Sequence, residues 1–197
     1  MPSSWLEGPP PEHYPQPSGH DGLQGGCERR KAVPAADIIT PNQFELDYLT
    51  GQQSRTLAEA LGAVKAAHAL GPRAVLVTSL HTEDTPEDAI DMLASDDTGR
   101  FRLRTPRLNM IVNGAGDAVA ALFFAHYLRS GKIGEALSRA GSAIFGVLAK
   151  TAELGAPEIQ LVVAQDEIVN PSRVFSSARS CTRKSLRISL SVATSLV

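Results

Sequence analysis

Between residues 35 and 171 the sequence alternates between short apolar runs and longer stretches with helical periodicity, and this alternation restricts the fold more than any other feature. The run from Ala74 to Thr78 is typical of a buried strand. Before it, Thr56 and Glu59 form a capping box at the start of an amphipathic helix. Because strand and helix signals follow one another along the chain, the sequence predicts an α/β layered sheet with parallel strands and covering helices.

Further signals complete the predicted elements. Thr40 is placed to cap a helix that starts with Pro41 and ends at Gly51, with Gln43 as the reciprocal partner of the cap. A nearly all-apolar helix that runs to about Ser130 is expected to be buried. The remaining predicted elements are a half-exposed antiparallel strand pair at 89–94 and 100–105, a helix at 134–154 and a last strand at 159–163.

The two ends of the chain differ in composition from this central segment. Residues 1–34 hold seven of the 13 prolines and few aliphatic side chains, so they cannot bury enough apolar surface to offset the entropy cost of ordering. Residues 172–197 contain eight serines and show no helical period. The sequence therefore predicts a disordered arm at 1–34, a folded part at 35–171 and a disordered, basic tail at 172–197.

Charge and composition argue against several classes of protein. The net charge is −2, but residues 172–197 carry five basic residues and no acid, so the rest of the chain is more acidic than that value indicates and is a poor binder of nucleic acid. The longest apolar stretch, Ala118 to Phe124, is too short to span a membrane. Cys27 and Cys181 are too few for a disulfide scaffold. Together with the lack of a recognisable signal segment, these features predict a cytoplasmic protein.

The first candidate site is the sequence Asn113-Gly114-Ala115-Gly116-Asp117 at the start of the apolar helix. Two glycines separated by one residue let backbone amides converge, and the first turn of the helix adds unpaired N–H groups and the positive end of its dipole. Such a loop can hold a phosphate, and an aspartate beside it can take the proton from an attacking hydroxyl. The simpler interpretation, a glycine turn whose aspartate complements the helix dipole, remains open from this motif alone.

The second candidate site is the sequence from Thr40 to Glu45. Asn42 and Glu45 are three residues apart, so they share one side of the first helical turn after a strand. In open α/β sheets, ligands bind beyond the carboxyl ends of the strands. A carboxylate and an amide at that place suit water-mediated coordination of Mg²⁺, although a capped helix with a solvated glutamate gives the same pattern.

These segments resemble the pyridoxal kinase family of the ribokinase-like superfamily. The resemblance lies in ADIITPNQFELDYLTG, VLVTS and NGAGDAVAALFFAHYL, which occur in the order that the family has, and in IQLVVAQDEI near the end. It covers about residues 35–175 and corresponds to the C-terminal portion of that family. It implies a ribokinase-like layered sheet with helices and an ATP-dependent kinase that phosphorylates the 5′-hydroxymethyl group of a vitamin B6 vitamer.

The resemblance also implies roles for the residues of the glycine motif. Asp117 matches the catalytic base that deprotonates the hydroxymethyl group of the substrate. Gly114, Ala115 and Gly116 match the anion hole for the γ-phosphate, and Asn113 belongs to the same ATP-binding loop. Many members of the family have threonine where Ala115 stands, and alanine removes one hydroxyl contact to ATP.

The other carried-over positions concern metal ions and the nucleotide. Glu45 and Asn42 match the motif that organises Mg²⁺ and the phosphates, and Thr40 matches a residue that lines a monovalent-cation site. Thr78 and Ser79 match positions that contact the nucleotide. The implied partners are ATP, Mg²⁺, a monovalent cation and a vitamin B6 vitamer, with a homodimer as the assembly and neither nucleic acid nor a membrane as a ligand.

The sequence departs from the family pattern at its N-terminal side. Family members carry a substantial N-terminal half that binds the pyridine ring, and the resemblance implies that this half is missing here. The remaining sheet is then expected to expose an edge and an apolar face. Two alternatives remain: another ribokinase-like kinase that acts on a hydroxymethylpyrimidine or a sugar, and a truncated, non-catalytic remnant that binds a nucleotide or a partner.

Overall fold

Five strands form one mixed sheet in which the spatial order of the strands is their order along the chain. The computed structural model describes residues 32–110 and 112–180, so residues 1–31 of the predicted arm, both cysteines and residues 181–197 of the tail lie outside the described residues. The strands are β1 (Ile38–Ile39), β2 (Ala74–Leu80), β3 (Ala89–Asp96), β4 (Gly99–Pro106) and β5 (Ala178–Arg179).

The prediction of parallel strands holds only for β1 and β2, in which Ile38 lies opposite Ala74. The other neighbouring pairs, β2–β3, β3–β4 and β4–β5, are antiparallel. The links from β2 to β3 and from β3 to β4 are too short for the crossover helix that a parallel connection needs. The predicted β3–β4 hairpin is confirmed, but β3 is almost wholly buried and not half-exposed, because helices cover both of its faces.

Helices lie on both faces of the sheet and sort its side chains into two cores. After a single helical turn at Val33–Ala35, they are α1 (Gln43–Thr50), α2 (Leu57–His68), α3 (Ala115–Ser130), α4 (Ile133–Glu153) and α5 (Gln165–Val169). On β2, Val75 and Val77 pack towards α1 and α2, whereas Ala74 and Leu76 pack towards α3 and α4. This division follows from the alternation of side chains along a strand. The result is a three-layered α/β fold.

The start of α1 differs from the prediction in its capping residue. The Asn42 side-chain oxygen accepts a hydrogen bond from the Glu45 backbone N–H at 2.9 Å, and the Glu45 carboxylate accepts one from the Asn42 N–H at 2.9 Å. The cap is therefore Asn42 and not Thr40, because the chain stays extended through Pro41, whose carbonyl accepts a hydrogen bond from the Thr78 N–H. The predicted end at Gly51 and the capping box of α2 are confirmed.

Helix α4 lies unusually close to the sheet at Gly141. A side chain at this position would collide with the Leu103 side chain of β4, and its Cβ would lie 3.0 Å from the terminal methyl carbon of Met92 on β3. Because protein interiors are close-packed, a larger residue here requires the Leu103 side chain, the Met92 methyl group or the helix to move.

Two predictions about the C-terminal half are wrong. Helix α3 buries only Ala118, Val119 and Phe123, whereas Phe124 is 49% exposed and Leu128 66% exposed. An apolar composition cannot show which sides of a helix have a neighbour, and α3 packs on the sheet and α4 along one side only. The predicted strand at 159–163 is a loop that turns into α5; its sheet-like pairing is limited to a bridge between Glu158 and Asn113.

Residues 172–180, which the sequence assigns to the tail, lie against α4 and the sheet. The Phe175 ring meets the edge of the Phe145 ring, with centroids 5.0 Å apart, and the Phe175 N–H donates to the Ser142 hydroxyl at 2.9 Å. Further along, the Ser177 N–H donates to the Ser138 hydroxyl before β5 pairs with β4. The division of the chain into three parts stays a prediction.

Within residues 32–110 and 112–180, no helix combines the length and the apolar composition that crossing a lipid bilayer requires.

Candidate functional site

A cleft of about 410 Å³ lies between the C-terminal end of β2 and the first turn of α3. Its walls include Thr78 and Ser79 from the strand and Ala115 and Gly116 from the helix, so residues from two distant motifs line one cavity. The rest of the lining is mainly apolar and was not identified from the sequence: Ile90, Met92, Leu108, Met110, Val112, Val119, Ile144, Phe145 and Leu148. A cavity with an apolar floor and a polar rim at a strand end is typical of a ligand site.

The glycine loop is fixed by the segment that follows α4. The Asn113 N–H donates to the Pro157 carbonyl, and the Ile159 N–H donates to the Asn113 carbonyl at 3.3 Å. Gly114 caps α3 with a φ of 87° and offers no side-chain hydrogen bond to the helix. The N–H groups of the first turn are therefore not satisfied by a cap, and Ala115 and Gly116, which carry two of them, lie on the cleft. This arrangement suits an anion.

Gly114 is required by the backbone as well as by its surroundings. A Cβ at this position would lie 3.1 Å from a methyl carbon of Ile159, in a backbone conformation that favours glycine. Gly116 is different, because a Cβ there would meet no atom within 4 Å. Nothing in the described structure explains the glycine at 116, but its lack of a side chain lets a ligand in the cleft approach the backbone closely.

We expect Gly114→Ala to lower the free energy of unfolding by more than the roughly 1–2 kcal/mol that a left-handed conformation costs an alanine. The contact with Ile159 adds to that cost. Gly131→Ala is the matched control, since Gly131 has a φ of 63° at the end of α3 but a Cβ there would meet no atom. Urea denaturation of both variants measures the difference. Equal losses would show that the Ile159 contact carries no energy.

The end of β2 presents its polar residues to the cleft through an irregular backbone. The register of β2 with β3 shifts between Val77 and Leu80, and Ser79 has a φ of 52°, which is uncommon for a residue other than glycine. The shift re-aims the strand end, and the exposed Ser79 lies on the cleft wall beside Thr78.

Asp117 lies in the first turn of α3, directly after the two residues that line the cleft. It is exposed, so its carboxylate is accessible to a substrate that enters above the glycine loop. An acidic residue at this place also interacts favourably with the positive end of the helix dipole. The geometry thus allows a base beside an anion site. Asp117 does not belong to the apolar core.

The second motif lies between the cleft and a neighbouring cavity. Asn42 forms a bridge with Thr78, which brings it to the strand end that forms the cleft wall. Glu45 and Thr40 instead line a neighbouring cavity of about 430 Å³. Asn42 and Glu45 nevertheless stay joined by the two reciprocal hydrogen bonds of the helix cap, each of 2.9 Å.

The donor set of the second motif fits Mg²⁺ only as a partly hydrated ion. Asn42 and Glu45 offer hard oxygen atoms, but one carboxylate oxygen of Glu45 already accepts the Asn42 N–H. In the part of the chain that the structure describes, no cluster of three or more His, Cys, Asp and Glu side chains is placed to hold a metal ion. Glu45 and Asn42 would hold Mg²⁺ through its waters, with phosphate oxygens as the other ligands.

A buried ionic network that the sequence analysis missed stabilises the loop after β2. Asp91 of β3 is fully buried, and its carboxylate accepts hydrogen bonds from Arg104 Nε at 2.7 Å, Arg104 Nη2 at 2.8 Å and the Thr85 hydroxyl at 2.8 Å. The Asp91 bonds raise the pKa of Arg104. Hydrogen bonds from Thr82 and then Arg102 lower the pKa of Asp84 in the same network. The network could have been predicted only from the register of the β3–β4 hairpin, which places Asp91 opposite Arg104.

The three-layered fold, together with the glycine loop that faces a strand end, is typical of a ribokinase-like α/β protein. Pyridoxal kinase from Leishmania donovani in complex with ADP superposes with a TM-score of 0.72 at 24% identity, over 83% of this chain and 58% of that one. The chain belongs to the phosphomethylpyrimidine kinase family, whose model matches residues 24–161.

Curated relatives within this family are pyridoxal kinases. The chain is 50% identical over 151 residues to pyridoxal kinase PdxY of Leifsonia xyli, which covers 77% of this chain and 53% of the relative. It is 52% identical over 152 residues to pyridoxal kinase PdxY of Rubrobacter xylanophilus, which covers 77% of this chain and 52% of the relative. The chain thus spans about half the length of the curated relatives it matches.

Proposed function

We propose that this chain carries the phosphoryl-transfer site of a pyridoxal kinase, which moves the γ-phosphate of ATP to the 5′-hydroxymethyl group of a vitamin B6 vitamer. The observation that supports this most directly is the cleft in which Thr78 and Ser79 meet the glycine loop. The relatives at about 50% identity are named as pyridoxal kinases, and a Leishmania donovani enzyme was solved with ADP and pyridoxine. These support the nucleotide and the vitamer as the two ligands.

The cleft divides naturally between the parts of ATP. Its apolar floor, which includes Ile144 and Phe145, suits the base, and the first-turn N–H groups of α3 suit the phosphates. Backbone donors that are already oriented towards the γ-phosphate stabilise the charge that develops on it without reorganisation. Mg²⁺, when bound, would neutralise phosphate charge beside Asn42 and Glu45.

Asp117 acts as the base in this scheme. Its carboxylate takes the proton of the substrate hydroxyl as the hydroxyl oxygen forms a bond to the γ-phosphorus. The bond from that phosphorus to the oxygen that bridges it to the β-phosphorus breaks, and ADP leaves with the electron pair. The products are the phosphorylated vitamer, ADP and the proton held by Asp117.

Several finer properties belong to the same proposal. A monovalent cation beside Thr40 and a homodimeric assembly follow from the resemblance, a cytoplasmic location follows from the composition, and all three remain predictions. So does the expectation that the protein binds neither nucleic acid nor membranes. A substrate panel with ATP distinguishes vitamin B6 vitamers from hydroxymethylpyrimidines and sugars, which are the substrates of the alternative kinases.

Calorimetric titration of the purified chain, first with Mg·ATP and then with pyridoxal, tests the proposal. We expect Mg·ATP to bind, and pyridoxal binding with formation of pyridoxal 5′-phosphate would support the whole of the proposal. Binding of Mg·ATP without pyridoxal binding or turnover would support the second alternative, a nucleotide-binding remnant. Failure of Mg·ATP to bind would contradict the assignment of the cleft.

We expect Gly116→Ala to weaken Mg·ATP binding by roughly tenfold or more, because a Cβ would push the phosphate from the N–H groups and lose a charge-assisted hydrogen bond of about 1.5–3 kcal/mol. The same change should not destabilise the fold, since a Cβ at 116 meets no atom. Alanine is instead better than glycine within a helix, by roughly 0.5–1 kcal/mol. Calorimetry and urea denaturation measure the two effects.

Gly62→Ala is the matched control for this prediction. Gly62 lies within α2, and a Cβ there would meet only Gln52 Oε1 at an ordinary 3.5 Å. We expect this variant to keep its affinity for Mg·ATP. Unchanged affinity in Gly116→Ala would contradict the proposal that the phosphate binds at the first turn of α3.

A further inference from the structure

Gln43, the first residue of α1, uses its whole side-chain amide to join three segments of the chain. Its Oε1 accepts a hydrogen bond from the His81 N–H at 2.9 Å, and its Nε2 donates to the His81 carbonyl at 3.3 Å and to the Ser54 carbonyl at 2.7 Å. The sequence predicted Gln43 as the reciprocal partner of the helix cap, but the Glu45 carboxylate takes that place. The Gln43 amide instead binds the chain just after β2.

The three bonds explain why a glutamine suits this position. They require two donors and one acceptor on one long side chain, which is the set that a glutamine amide carries. A carboxylate has no donor for the two carbonyls, and a lysine ammonium group has no acceptor for the His81 N–H. Ser54 lies between α1 and α2, so the amide ties the start of α1 both to that loop and to the end of β2.

The backbone at the end of β2 is strained. Ser79 has a φ of 52°, and residues other than glycine keep such a conformation only where their surroundings impose it. Before Ser79, the Thr78 N–H donates to the Pro41 carbonyl at 3.0 Å. After it, Leu80 is fully buried and the Gln43 amide holds both backbone groups of the next residue. The bonds of Gln43 therefore belong to the constraints that keep Ser79 in this conformation.

We propose that Gln43 is a positioning residue of the nucleotide cleft. Its amide holds the end of β2 against the start of α1, so that Thr78 and Ser79 keep the places at which they line the cleft. Because Gln43 directly follows Asn42, the same bonds limit movement between the strand end and the residues proposed to hold Mg²⁺. The inference rests on the proposed function, since it takes the cleft as the nucleotide site.

Calorimetry with Mg·ATP tests the positioning role. In Gln43→Met the side chain keeps nearly the same length but has no amide. We expect the dissociation constant of Mg·ATP to rise about fivefold or more, which is the factor that one net hydrogen bond gives. If the parent chain binds Mg·ATP and Gln43→Met binds it equally well, the positioning role is wrong and the proposed function still stands.

Asp47→Ala is the matched control, because the Asp47 side chain holds the same loop at Ser54 and forms no hydrogen bond with residues 78–81. Its carboxylate accepts hydrogen bonds from the Ser54 hydroxyl at 2.6 Å and from the Ser54 N–H at 3.2 Å. We expect Asp47→Ala to lower the free energy of unfolding in urea and to keep the affinity for Mg·ATP. An equal loss of affinity in both variants would show that Gln43 acts only through general stability, which contradicts the proposal.

Amide hydrogen exchange without nucleotide separates a failure of this inference from a failure of the proposed function. We expect the Thr78 and His81 amides to exchange at least about tenfold faster in Gln43→Met, whereas the amides of β3 keep the parent rate. If the parent chain does not bind Mg·ATP, the proposed function fails, and this exchange pattern still supports the role of Gln43 at the strand end. Parent rates at both amides in the variant would overturn that role.

Discussion

Replacing Asp117 with asparagine is expected to lower kcat for the phosphorylation of pyridoxal by about 10²–10⁴-fold, the usual contribution of a general base. Asparagine keeps the size of the side chain but cannot take the proton of the hydroxymethyl group. The affinity for Mg·ATP should stay within about twofold, because the proposed phosphate contacts are backbone N–H groups of the first turn of α3, which do not depend on the residue at 117. A coupled assay of ADP release and calorimetry measure the two quantities.

The control for this variant is Asp166→Asn. Asp166 is an exposed aspartate in the first turn of α5, and it does not line the cleft. Loss of turnover in Asp117→Asn alone supports the base, whereas a parent rate in that variant contradicts it. If the parent chain itself gives no turnover, Asp117 has no catalytic role in this chain and the nucleotide-binding alternative is favoured.

The second large effect is expected at the buried ionic network. Asp91→Ala should lower the free energy of unfolding by about 3 kcal/mol, near the lower end of the range for breaking a buried ion pair. The lower end applies because the Arg104 side chain is 33% exposed and can reach water once its partner is lost. Urea denaturation followed by circular dichroism measures the change.

Asp88→Ala separates the network from a general effect of removing an acidic residue. Asp88 is exposed at the end of the loop before β3, whereas Asp91 is fully buried. We expect Asp88→Ala to change stability by less than about 0.5 kcal/mol, as surface substitutions usually do. If the two variants lost the same free energy, the bonds of Asp91 to Arg104 would not stabilise the fold.

Local signals predicted the elements whose energetics are local. The hydrogen bonds of the capping box of α2 and of the glycine end of α1 join residues three and four positions apart, and the structure has both. The hairpin of β3 and β4 is likewise set by its short turn. The antiparallel direction of β2 and β3 was missed because the alternation of strand and helix signals favours parallel strands, whereas no helix lies in the short link between these two strands.

Features that depend on residues far apart in the chain could not be predicted from local sequence patterns. The apolar pattern of α3 indicated burial, but the exposure of Phe124 depends on whether anything lies beside β1. The pattern of Arg102 and Arg104 with apolar residues indicated an exposed strand face, yet the register sets these arginines against the buried Asp91. Burial of a charge is decided by its partner across the sheet, which a single strand does not reveal.

The candidate site shows the same division. The polar residues of the cleft stood out because glycine spacing and strand ends are visible in the sequence. Its apolar floor did not, since residues such as Phe145 and Leu148 occupy one side of α4 and resemble any other core positions. The sequence placed Asn42 and Glu45 on one helical turn, but it could not show that Glu45 lines the cavity beside the cleft and not the cleft itself.

The close contact at Gly141 affects the apolar floor of the cleft. Ile144, Phe145 and Leu148 reach the cleft from α4 one or two turns after the point at which that helix touches Leu103 of β4. The missing side chain at Gly141 therefore leaves room for Met92, which also lines the cleft. A larger residue at 141 is expected to push Met92 towards the cleft, so the shape of the cavity can change at a position that does not line it.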